Sequence, residues 1–249
     1  MTKQRFLLLV GLLAAAFLLF SPTPALAQLL SLDLGDDAGS TTSRIIQILL
    51  LTTVLTLAPS VLVMVTSFTR IVIVLSFLRT AMGTQQTPPT QVLVSLALFL
   101  TIFIMMPTME QVYDRGIAPL IAGEIDEAQA FERSTEPVRA FMQRHVREQD
   151  VALFVDVAQI PDAEARTNIP MRAIIPAFMI SELRRAFEIG FLLFLPFLII
   201  DMVVASILMS MGMMMLPPVI IALPFKIIFF VLVDGWYMIV GTLIRSFGG

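Results

Sequence analysis

The chain has 249 residues, of which 57% are hydrophobic and only 14% charged, and its mean hydropathy is +0.90. This excludes an ordinary water-soluble domain and points to a polytopic membrane protein. No cysteine and a single histidine, His145, exclude disulfides, thiolate chemistry and a multi-histidine metal site, and a net charge of −3 excludes a strongly basic nucleic-acid surface.

Residues 1–27 have the pattern of a secretory signal. Lys3 and Arg5 form a positive n-region, Phe6 to Phe20 an apolar core, and Ala25-Leu-Ala27 a small-residue cleavage site after a break at Ser21-Pro-Thr-Pro24. The apolar core is short for a membrane span, so cleavage after Ala27 is expected, with the mature N-terminus outside the cytoplasm. Residues 28–43, with Asp33, Asp36 and Asp37, read as a polar N-terminal arm.

Residues 44–109 read as a first helical hairpin. Ile45 to Thr69 carries no charge but is rich in threonine and serine, and Pro59 is expected to kink it. Hydroxyls in an apolar helix more often face another helix than lipid. The helical pattern continues to Met82 with Arg70 and Arg79, which are assigned to the cytoplasmic turn by the positive-inside rule. Gly83-Thr-Gln-Gln-Thr-Pro-Pro89 marks the turn, and Gln91 to Met109 a second helix ending near Pro107.

Residues 110–175 are the one soluble-looking part, expected to be a mostly helical outer, periplasmic segment. Gln111 to Ile175 holds 11 acidic and 7 basic residues. Ser134-Thr-Glu-Pro137 reads as a helix start, followed by an apolar stripe of Val138, Phe141, Met142, His145 and Val146. His145 is expected to be a packing or surface residue. Pro161, Pro170 and Pro176 are expected to divide the remainder of this segment into short pieces.

Residues 176–249 read as a second helical hairpin around a methionine-rich tip. Phe191 to Leu208 and Val219 to Val233 are each long enough to span hydrocarbon, and Gly212 with Pro217-Pro218 breaks the run between them. Between Glu188 and Arg245 only Asp201, Lys226 and Asp234 are charged. Asp201 and Lys226 lie symmetrically about the methionine run. In an antiparallel hairpin both sit roughly 18 Å from the turn, and a lone buried ion is costly, so they are expected to pair, within or between subunits. Glu182 is a competing partner for Lys226 and a subunit-contact candidate. Arg184, Arg185 and Glu188 read as solvated charges flanking the span. The tip crowds Met209, Met211, Met213, Met214 and Met215 around Gly212. Methionine fills irregular gaps, but a hairpin tip is a poor place for core.

Pro176-Ala-Phe-Met-Ile-Ser-Glu-Leu-Arg-Arg-Ala-Phe-Glu-Ile-Gly190 and Pro196-Phe-Leu-Ile-Ile-Asp-Met-Val-Val-Ala-Ser-Ile-Leu-Met-Ser-Met-Gly-Met-Met-Met215 resemble the signature segments of the FliP family, the export-gate membrane proteins of bacterial flagellar type III secretion. Leu223-Pro-Phe-Lys226, Leu232-Val-Asp-Gly-Trp236, and Ser67 to Arg79 with the Gln85-Gln86-Thr87-Pro88-Pro89 turn fit as well. The resemblance covers residues 45 to 245. It implies an all-α membrane subunit without enzymatic activity, cofactor or metal. It also implies assembly of several copies, as a pentameric ring, with FliQ and FliR and near other export-apparatus membrane proteins. That assembly forms the entrance pore for unfolded polypeptides, in the bacterial inner membrane at the flagellar basal body, with much of the mass on the periplasmic side. The resemblance places the methionine-rich loop at the pore constriction. The leader and the outer segment fit the flagellar branch better than the virulence-secretion branch.

Two other classes fare worse. An intramembrane enzyme needs a nucleophile with a base, a carboxylate dyad or a metal set, and Asp201 and Asp234 sit on different predicted helices. A proton channel or carrier using Asp201 and Lys226 as a relay lacks a detectable inverted repeat.

Overall fold

The computed structural model describes residues 38–84, 86–161, 169–213 and 216–248. The expected leader, Met214 and Met215 lie outside the described residues. The chain divides into two compact units, Met1–Thr56 and Leu57–Gly249. Helix α1, Ala38–Val65, begins inside the expected polar arm and contains Pro59.

Every regular element among the described residues is helical. Helix α2 is Phe68–Met82, and α3 is Thr90–Val112. A π-helical stretch, Tyr113–Ile117, and the short α4, Ala118–Ile121, continue α3. Then come α5, Glu127–His145; α6, Glu148–Val157; α7, Met171–Ser210; α8, Pro218–Leu232; and α9, Gly235–Gly248.

The prolines do less than the sequence suggests. Pro107 does not end α3 but lies inside it, and Pro176 and Pro196 lie inside α7. Each removes one backbone bond, a loss that neighbouring helices and apolar packing can absorb. Helix α5 starts well before Pro137, at Asp126, whose side chain accepts from the Gln129 backbone N–H at 2.7 Å. A capped acidic start of this kind outweighs the weaker signal of a proline at a first helical position.

Helix α2 is the core of the second unit. Arg70, Ile71, Val74, Leu75 and Leu78 are fully buried. These positions recur every three or four residues, and other helices cover them. Arg70 meets Glu182 at one end, and Phe77 meets Phe187, Gly190 and Phe194 further along. Both sequences advance in the same sense, so α2 and α7 run parallel. Helix α3 returns antiparallel to α2, with Arg79 Nη1 donating to Thr90 Oγ1 at 2.8 Å across the turn.

Among the described residues, two helices are long and apolar enough to cross a membrane: Thr90–Ile121, 32 residues, and Met171–Ser210, 40 residues. The bent pair α8 and α9, meeting at 62°, passes the same test together. Only 17% of the most apolar window of α7 is buried by the chain itself. Phe191, Leu192, Leu198, Ile199 and Val203 are exposed on α7, and Phe99, Ile102 and Phe103 on α3. Such faces need lipid or protein against them. A 40-residue helix is roughly 60 Å long, about twice a hydrocarbon core, so α7 extends well beyond one membrane thickness. Its charges agree: Arg172, Glu182, Arg184, Arg185 and Glu188 fall in the first half, and only Asp201 in the second.

Candidate functional site: a hairpin tip held by two ion pairs

The methionine tip is where α7 stops. The Gly212 N–H donates to the Met209 carbonyl at 3.1 Å, and the Met213 N–H to the Leu208 carbonyl at 3.0 Å. Gly212 has φ 75°. This pair of bonds around a left-handed residue is a Schellman stop, which uses carbonyls that the last helical turn would leave unpaired. The requirement for glycine is conformational rather than spatial, because a Cβ at Gly212 would meet nothing within 4 Å. Met209, Met211 and Met213 are exposed by 57%, 64% and 43%. The described tip methionines are therefore not core.

Below the tip, α7 and α8 pair antiparallel. Phe197 packs on Phe230 at 6.3 Å between ring centroids, and Lys226 Nζ donates to Asp201 Oδ2 at 2.6 Å. Both pairs are centred between Met213 and the residue after it, so one register serves the ring contact and the ion pair. Lys226 is 3% exposed and also donates to the Ala81 carbonyl at 3.1 Å. That carbonyl belongs to the last turn of α2, where the helix has an unpaired acceptor and the negative end of its dipole. One ammonium therefore ties α8 to both α7 and α2. Asp201 Oδ1 is buried with no hydrogen-bond donor in reach.

Glu182, which the sequence offers as a second partner for Lys226, is bound by Arg70 instead. Arg70 Nε donates to Glu182 Oε2 at 2.7 Å and Nη2 to Oε1, giving a two-pronged pair with both side chains almost fully buried. Arg70 Nη1 adds the Ser246 hydroxyl at 2.9 Å and carbonyl at 3.2 Å, and the guanidinium lies 3.7 Å over the Phe247 ring. Arg70 is thus not a charge of the cytoplasmic turn. It is the buried hub joining α2, α7 and α9. The neighbouring Ser181 hydroxyl accepts from the Arg147 N–H at 3.1 Å and donates to Asp150, fixing the start of α6 on α7. Arg184 and Glu188 remain exposed and pair along the helix surface at 2.8 Å.

His145 is 9% exposed and packed between Phe141, at 4.8 Å, and Phe247, at 5.2 Å. Burial, and then the charges of Arg70, Arg185 and Arg144, push its imidazole down to about 4. It is neutral and structural. Among the described residues, no group of three or more His, Asp or Glu side chains is placed to hold a metal ion.

Sequence reasoning missed Arg70, Ser246, Phe247 and the Ala81 carbonyl as partners. The signal for Arg70 was present: an arginine inside a long apolar run needs a partner wherever it is buried. Nothing local points to Glu182 or Ser246, which lie 112 and 176 residues away in sequence.

The model of the FliP family matches residues 51–243. The chain belongs to the FliP family. That span contains Arg70, Glu182, Asp201, the methionine tip and Lys226. Among similar proteins named "Flagellar biosynthetic protein FliP", that of Caulobacter vibrioides is 55% identical over 240 residues, covering 96% of this chain and 90% of the relative. That of Bacillus subtilis is 55% identical over 205 residues, covering 82% and 93%. That of Aquifex aeolicus is 46% identical over 236 residues, covering 94% and 98%.

Proposed function

We propose that this chain is a subunit of the flagellar protein-export gate. In this reading several copies, as a pentameric ring, assemble with FliQ and FliR in the bacterial inner membrane, with much of the mass on the periplasmic side. The ring forms the entrance pore for unfolded export substrates, and the methionine tip is its seal. Family membership and the relatives' flagellar names support the setting. The observation that carries the seal is the hairpin itself. Helix α7 is stopped by Gly212 so that Met209, Met211 and Met213 stand clear of the chain's own core.

The chemistry suits a gasket. Methionine is apolar, unbranched and flexible, so a ring of such side chains excludes water and ions when idle and deforms around unrelated polypeptides. β-Branched residues are too stiff for this, and polar ones would conduct water. The buried Arg70–Glu182 pair and the half-buried Asp201–Lys226 pair hold α2, α7 and α8 in register beneath the tip. Their role in the ring is to place every copy's tip at one height.

The test replaces Met213, Met214 and Met215 together by alanine or glycine. The complex assembles, and leakage of ions and small solutes across the membrane rises. A variant that assembles and stays as tight as the parent would show that the seal lies elsewhere.

A further inference from the structure

Apart from the half-buried Met171 and Met179, the described methionines fall into three environments. Met82, Met105 and Met142 are buried, at 6%, 2% and 0% exposure. Met106, Met109 and Met202 are exposed, at 50%, 42% and 59%, as are Met64 and Met238, at 42% and 55%, but all five lie on helices of the apolar candidate spans or bent pairs. Met209, Met211 and Met213 are similarly exposed but lie at the end of α7, Met209 in its last turn and Met211 and Met213 beyond it. Among the described residues, a Cβ on Gly212 would find no heavy atom within 4 Å beyond its own chain neighbours and helix backbone. Among the described methionines, Met211 and Met213 are thus the exposed ones that lie outside every candidate span, with Met209 one turn below them.

We propose that Met209, Met211 and Met213 form an oxidation-sensitive modification site whose reagent is a hydroperoxide and whose product is methionine sulfoxide. A thioether lone pair attacks the terminal peroxide oxygen. The S–O bond forms, the O–O bond breaks, and the leaving alkoxide takes up the hydroxyl proton as an alcohol, or as water when the reagent is hydrogen peroxide. Sulfur loses two electrons and the peroxide gains them. The thioether becomes a polar hydrogen-bond acceptor, and the change is reversible by sulfoxide reductases, one for each epimer. The second half of the inference rests on the seal reading above. A sulfoxide in an apolar ring recruits water, so oxidation opens a leak and reduction closes it.

The test treats the full chain, in its assembled complex in vesicles, with hydrogen peroxide and follows each methionine by peptide mass spectrometry. The three tip residues gain oxygen about tenfold faster than Met82, Met105 and Met142, with Met106 and Met202 shielded by lipid. Equal rates at tip and buried positions overturn the modification site. Leakage is then read against each sample's own untreated baseline. It rises with tip sulfoxide, falls after both reductases act, and does not rise when the three residues carry M209L, M211L and M213L. Tip sulfoxide without any change in leakage overturns the redox control. The alanine series at Met213, Met214 and Met215 separates the two readings. If those variants leak while oxidised vesicles do not, the seal stands and the redox control falls. If those variants stay tight, the seal falls while the oxidation rates still decide the modification site.

Discussion

Gly190 packs so closely on Phe77 that a Cβ built there would lie 2.5 Å from the ring, and only 3.2 Å from the Phe77 Cβ. The ring is held between Phe187 and Phe194, so it has little room to move. Gly190→Ala in an open helix would stabilise by about 1 kcal/mol. Here the overpacking of α2 on α7 costs about 1–3 kcal/mol, which wins. The variant should melt below the parent in detergent. An equal or higher melting temperature would show that α2 and α7 can separate without loss.

Removing one half of the Arg70–Glu182 pair leaves the other charge buried with incomplete partners. Arg70→Ala should destabilise by about 3–5 kcal/mol, enough to deplete the folded protein. Arg70→Met combined with Glu182→Leu leaves no buried charge and should recover most of that loss. Thermal melting and the yield of monodisperse protein compare the two. A double variant as unstable as the single one would mean that the Ser246 and Phe247 contacts, rather than the ion pair, carry the site.

Lys226 has two acceptors, and a swap can repair only one. Asp201→Ala and Lys226→Ala should each impair assembly with the partner proteins, read by co-purification. The exchange D201K with K226D restores opposite charges but leaves the Ala81 carbonyl without its ammonium, so it should recover assembly only in part. Single variants that assemble and export normally would sink the idea that this pair sets register.

His145 makes stability depend on pH. The folded imidazole titrates at about 4, against an ordinary value of 6.5. Between those values the unfolded chain holds a proton that the folded chain refuses, so stability falls as pH drops through that window. The loss reaches up to about 3 kcal/mol once pH is below both values. His145→Phe keeps an aromatic ring between Phe141 and Phe247 and removes this slope. Melting at about pH 7.5 and about pH 4.5 should fall further for the parent than for the variant. Parallel losses would assign the acid sensitivity to carboxylates.

The hairpins, the methionine tip and the Asp201–Lys226 geometry were legible because they are local or symmetric in the sequence. A glycine and two prolines punctuate one apolar run, and two charges sit equidistant from its centre. Helix ends were less legible. Pro107, Pro137 and Pro176 look like boundaries, but tertiary packing carries each helix through them. Arg70 was misplaced for a different reason. A positive charge beside an apolar run fits a membrane-surface rule equally well, and only the parallel packing of α2 on α7 reveals its carboxylate. The 62° bend between α8 and α9 was read through in the sequence, although Asp234, with φ 50°, is followed by Gly235, where a Cβ would lie 2.2 Å from the Phe230 ring.

The late arrival of Ser246 and Phe247 gives this protein a schedule as well as a shape. At roughly 5–20 residues per second of synthesis, the ribosome delivers Glu182 about 6–22 s after Arg70, and Ser246 about 9–35 s after it. Throughout that interval a guanidinium destined for the interior has no complete set of acceptors. The nascent chain must keep α2 near water, lipid headgroups or an insertion factor until α9 emerges to close over it.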